Sequence, residues 1–153
     1  MKKLLILLLM IFGIKSGYKN NNTVFEKDYI IPNPKKLIKK YSKMFNLPED
    51  LCLGIADLES EFNRDMTNPK SSSSGIFGLI NSTNEFIQLR EGYIRVIPTL
   101  NLTTEEQIYI GIKYIKYLYD KYDGNEKLIL HEYCSEEGYW KALEKRRKKY
   151  KER

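Results

Sequence analysis

The sequence is poor in the residues from which metal centres and disulfide frameworks are made. It holds one histidine, His131, and two cysteines, Cys52 and Cys134, among 153 residues. Neither the cysteine spacing nor the isolated histidine supplies a ligand cluster, so no metal and no other cofactor is expected. A lone histidine of this kind reads as a structural or surface residue. Internal repeats are absent, and so is the strict apolar–polar alternation of half-buried strands. No apolar run reaches the ~20 residues that a membrane-spanning helix needs. What remains is a single, mostly α domain, long enough to bury an ordinary core.

Charge is lopsided. The net charge is +6, with Lys and Arg crowded into the last dozen residues. Such a balance favours polyanionic surroundings, whether a cell wall, a phospholipid surface or nucleic acid. The N-terminus narrows that choice. Met1-Lys2-Lys3 is a basic leader, and Leu4 to Ile14 is an uncharged run of eleven residues, the length of a signal-peptide core. Residues 1–17 are therefore expected to be a signal peptide or N-terminal anchor, exporting the chain to a periplasmic or extracellular location. Export argues against nucleic acid as a partner, and leaves membrane contact only through an uncleaved leader. Lys15 intrudes among the small residues Gly13, Ser16 and Gly17, so cleavage and retention both stay open. Export would also permit a disulfide between Cys52 and Cys134. Two small, separately buried residues fit the sequence equally well.

Residues 18–33 are polar and Asn-rich, and read as a linker. Residues 34–140 carry helical patterning and form the expected domain, with 141–153 a basic C-terminal tail. Pro34 opens a first helix whose apolar stripe is Leu37, Ile38, Tyr41 and Phe45. Asn46-Leu47-Pro48 interrupts the pattern, and Leu51, Ile55, Leu58 and Phe62 resume it. Gly54 in this second helix allows close approach of another backbone. Residues 68–83 read as a loop, and 84–100 as a short mixed stretch ended by Pro98. Thr103 with Glu106 resembles a capping box. The helix behind it places Ile108, Gly111, Ile112, Ile115, Tyr119 and Tyr122 on one side. Glu126 to Tyr133 and Glu137 to the end read as two further helices.

One carboxylate stands out. Glu59 lies at the border of the apolar stripe of the second helix, ahead of the Ser/Gly-rich loop Ser71 to Thr83. Partial burial there disfavours the charged form and raises a carboxyl pKa, as a catalytic acid requires. The same pattern also describes a helix-flank glutamate in a surface ion pair. Glu61, about 200° further round the helix, is the ordinary neighbour.

From about Leu37 to Gly138 the chain resembles the lysozyme-like catalytic domain of the soluble lytic transglycosylases, which cleave bacterial peptidoglycan. Three blocks carry the resemblance. Glu59-Ser60, followed by Phe62-Asn63, looks like the family's Glu-Ser signature. Ser74-Gly75-Ile76-Phe77-Gly78-Leu79-Ile80, ending in Thr83, looks like its Gly-Leu-Met-Gln loop, with Gly78 read at the place of the glutamine. The helix with Gly111, Tyr114 and Leu118, then Leu130 to Tyr133, resembles the Ala-Tyr-Asn-Ala-Gly segment, although Cys134-Ser135-Glu136 replaces Asn-Ala-Gly.

The resemblance implies a single lysozyme-like domain (goose-type lysozyme or lytic transglycosylase) with Glu59 as lone acid and base. It implies that peptidoglycan glycan strands are the partner. Their N-acetylmuramic acid–N-acetylglucosamine bonds would be cut without water, giving 1,6-anhydro ends. Substrate contacts are expected from Ser60, Ser74, Gly75, Ile76, Phe77, Tyr114 and Tyr133. Short single-domain relatives open the wall locally for a secretion or conjugation complex, and phage lysis is the other setting. Two alternatives remain: a non-catalytic peptidoglycan-binding or assembly protein on the same fold, and a hydrolytic muramidase.

Overall fold

The computed structural model describes residues 32–151. The expected leader, residues 1–17, and the expected linker up to residue 31 lie outside the described residues. The first helix, α1 (Pro34–Met44), begins where Asn33 accepts hydrogen bonds from the backbone N–H groups of Lys35 and Lys36. Proline stands at its start, where no N–H is needed. It stops at Asn46, whose φ is +53°.

The second helix, α2 (Glu49–Ser60), is the centre of the molecule. Residues 51–57 are all buried, so this helix is enclosed on every side. Glu49 and Asp50 face its positive end. It ends because Glu61 and Phe62 both turn left-handed, with φ of +52° and +67°. Their N–H groups bond back to Asp57 and Ala56.

Four more helices follow among the described residues: α3 (Asn81–Arg90), α4 (Thr104–Lys121), α5 (Glu126–Tyr133) and α6 (Tyr139–Lys151). A short 3-10 turn, Thr99–Asn101, precedes α4. The capping box of Thr103 and Glu106 forms as the sequence predicts. Helix α4 packs on α1, α3 and α5, while α2 packs on α1 and α6. No named strand occurs among the described residues; extended backbone pairs only in isolated bridges of Ser74 with Thr67 and Leu79.

Helix α3 differs from the sequence reading, which gave these residues to a loop and an irregular stretch. Asn81-Ser-Thr-Asn84 is a poor helix opening, and two of its three buried positions are polar, Asn84 and Gln88. Their amides bond to each other and to the backbone of Ile97, so tertiary contacts rather than an apolar stripe hold the helix.

Residues 141–151, set apart in the sequence as a basic tail, belong to α6 and lie on α2. Gly54 permits this: a Cβ there would meet Arg147 Cγ at 2.7 Å and Leu143 Cδ1 at 3.1 Å. Arg147 is buried and fully engaged, donating to Asp50 at 2.6 Å and to Glu126 at 2.6 and 3.2 Å. Arg146, Lys149 and Tyr150 converge on the buried carboxylate of Asp57. Removing one partner of such a pair strands the other's charge. Arg147→Ala is therefore expected to cost roughly 3 kcal/mol, seen as a lower denaturant midpoint at unchanged slope. A change below about 1 kcal/mol would mean that the ion pairs are as weak as ordinary surface ones.

Candidate active site

The last turn of α2 carries Glu59 to the floor of a groove of about 710 Å³. One wall comes from the loop after α2, through Ser71, Ser73 and Gly78. The other is the α5–α6 junction, through Tyr133, Glu136 and Tyr139. Tyr139 donates its hydroxyl to Glu59 Oε1 at 2.6 Å, a contact across 80 positions of sequence. Gly78 closes over the other oxygen. With a φ of +57°, a Cβ at this position would lie inside hard contact with Glu59 Oε2.

Glu59 is half-buried. Burial pushes its pKa above the ordinary 4.5, the Tyr139 hydrogen bond pulls it back, and the negative charge of Glu136 pushes it up again. The balance favours a carboxyl that still holds its proton when exposed carboxyls have lost theirs. Burial and the charge of Glu59 together hold the Tyr139 phenol far above its usual range, so it stays a donor.

Tyrosines line the wall. The Tyr133 ring stands 5.4 Å from that of Tyr114 and 6.4 Å from that of Tyr139, the latter stacked. Tyr133 donates to the carbonyl of Phe77 at 2.5 Å, binding α5 to the loop. Beyond Gly78 the groove continues into a recess of about 110 Å³ edged by Thr83 and Tyr114. Such a strip of aromatic faces with hydroxyl tips suits sugar rings.

The candidate residues separate into two groups. Glu59 and Tyr133 line the groove, and Tyr114 lines its continuation. Ser60 points the other way, donating to the Ile76 carbonyl at 2.7 Å and to the Ala56 carbonyl at 3.2 Å. It braces the loop against α2. Ser74, Gly75, Ile76 and Phe77 are not in the groove wall. Gly75, Ile76 and Phe77 are buried, because the two apolar side chains turn into the core, and Ser74 is occupied in the loop's own bridges. Their contribution is to hold Gly78 against Glu59.

The placement of Gly78 gives this loop residue a steric role beside Glu59. Only a glycine leaves room for the carboxyl. Tyr139 and Glu136 are site residues that the sequence reading passes over. The one available signal is a tyrosine just after Gly138, where the last helix begins. Cys52 and Cys134 are both free thiols. Among the described residues no group of three or more His, Cys, Asp or Glu is placed to hold a metal ion.

The family profile described as "Transglycosylase SLT domain" matches residues 36–153. No curated protein matches the chain.

Proposed function

This chain belongs to the Transglycosylase SLT domain family, and from that premise we propose that it is an exported peptidoglycan lytic transglycosylase with Glu59 as its catalytic acid and base. The observation that carries the proposal is the half-buried Glu59, its pKa raised, gripped by Tyr139 on the floor of an aromatic-walled groove.

The chemistry needs one carboxyl used twice. Protonated Glu59 gives its proton to the oxygen bridging N-acetylmuramic acid and N-acetylglucosamine, and the C1–O bond breaks. The substrate's own acetamido oxygen closes on C1, replacing the second carboxylate of ordinary glycosidases. Glu59, now ionised, is stabilised by the Tyr139 hydroxyl. It then takes the proton from the muramyl 6-hydroxyl, whose oxygen displaces the acetamido group at C1. A 1,6-anhydro ring forms, Glu59 is protonated again and no water is consumed.

Residues 1–17 would supply the export signal. Among the described residues no helix is long and apolar enough to cross a membrane. The compartment, periplasmic or extracellular, and any secretion or conjugation complex follow from that reading.

Digestion of purified sacculi by the full chain is expected to release anhydro-muropeptides, identified by mass. A second reading, a hydrolytic muramidase, is favoured by one observation: the carboxylates of Glu136 and Glu137 also line the groove. A water-derived reducing end, one water heavier than the anhydro product, would establish it and overturn the transglycosylase reading. Tyr139→Phe tests the coupling directly. Loss of a hydrogen bond to the ionised form raises the Glu59 pKa further. Since the acid must be protonated to act, the alkaline limb of the rate–pH profile is expected to move to higher pH. The plateau is expected to fall about tenfold, as a charge-assisted hydrogen bond is lost. An unmoved limb would show that Tyr139 does not govern the titration.

A further inference from the structure

A second hollow, of about 290 Å³, adjoins the groove at Tyr139, where α5 turns into α6. Its size is at the lower end of the ~300–1,000 Å³ of ligand sites, room for a short stretch of chain. It shares Cys134, Glu136, Gly138 and Tyr139 with the catalytic groove, so a molecule bound over Glu59 can extend into it.

The chemistry of this hollow differs from that of the groove. The floor is apolar: Leu130 is 3% exposed, and Trp140, at 36% exposure, stands open beside it. Lys127 and His131, both exposed on α5, supply the polar rim. Lys127 enters no ion pair among the described residues. A lysine rim offers carboxylates a charge-assisted hydrogen bond that neutral sugar rings cannot match. A peptide bearing carboxylates and small apolar side chains uses both features, its carboxylates being favoured at Lys127 and disfavoured at Glu136, which lines the shared wall. Peptidoglycan carries such a peptide on the lactyl ether of each muramic acid, next to the bond that Glu59 would cut.

We propose that this hollow binds the peptide stem of the muramic acid seated over Glu59, with Lys127 and His131 facing its carboxylates and Trp140 its apolar side chains. The proposal rests on the peptidoglycan reading of the groove. It is tested by binding rather than turnover, using the full chain carrying Glu59→Gln. The probes are purified glycan strands with their stems intact, and the same strands stripped by an amidase.

Tighter binding of the intact strands, by about tenfold, is expected, a preference worth about 1.4 kcal/mol. Adding Lys127→Glu is expected to reduce that preference to near unity while leaving the affinity for stripped strands as it was. Lys127 is exposed, so its replacement does not threaten the fold. Equal affinity for both strands overturns the inference, as does a Lys127→Glu loss shared by both. Either result leaves the role of Glu59 standing, because product formation from sacculi tests that separately.

Discussion

Glu59→Gln is expected to abolish sacculus cleavage and, at neutral pH, to make the protein more stable. The first effect follows from chemistry: a positioned acid and base contributes ~10²–10⁴-fold, and an amide can neither give nor take the proton. The second follows from linkage. The folded-state pKa of Glu59 lies above its ordinary 4.5, chiefly because the carboxyl is buried. The stability associated with the protonated form is fully present below the unfolded pKa. It is lost as pH rises through the folded one. Above that window the native state holds an ionised, poorly solvated carboxylate, which glutamine does not impose. The glutamine oxygen can still accept from Tyr139. A gain of about 0.5–2 kcal/mol is the usual scale for such relief. Denaturant midpoints compared at pH 7 and pH 4 check the sign: the variant should lead at pH 7, and the lead should shrink at pH 4. A gap that ignores pH would mean that Glu59 is not the strained group. Retained cleavage would remove it from the mechanism.

Gly78→Ala carries the second large effect. The new methyl group would fall inside hard contact with Glu59 Oε2, on a backbone whose φ of +57° already disfavours a side chain. The carboxyl must move. Misplacement by about 1 Å costs on the order of 10²-fold in rate, and overpacking of this kind about 1–3 kcal/mol in stability. Gly92→Ala is the matched control. Its φ is +85°, but nothing lies within 4 Å of the added methyl group, so only backbone strain should appear. If both variants cleave sacculi alike, contact between the loop and the acid is not what positions the carboxyl.

These two substitutions touch residues with different standing in the sequence. Glu59 is legible because α2 has a clear apolar spacing, with Leu51 and Ile55 buried and the acid just off their face. The capping box at Thr103 and the bounds of α5 are legible for similar reasons: their signals are local. Gly78 is visible as part of a motif but not in its role, since its neighbour Glu59 is reached only by folding. Tyr139 lies further still from local signals, its partner lying 80 positions away. Asn84 and Gln88 illustrate the opposite failure, where polar residues occupy core positions and hide a helix from any pattern of hydrophobicity. What escapes the sequence is therefore the set of contacts made by polar side chains between distant segments.

The ion pairs that fasten α6 to α2 also bear on when the groove exists as such. Glu59 is synthesised early, while Tyr139 and the Arg146, Arg147 and Lys149 anchors come from the far end of the fold. A nascent chain that has emerged only through α5 carries the acid without the hydroxyl that steadies it, and without the wall that completes the groove. Closing such a long-range contact costs loop entropy, which a contact between sequence neighbours avoids. The groove is therefore complete only once α6 is in place, and a chain that stops at α5 holds Glu59 without its Tyr139 partner.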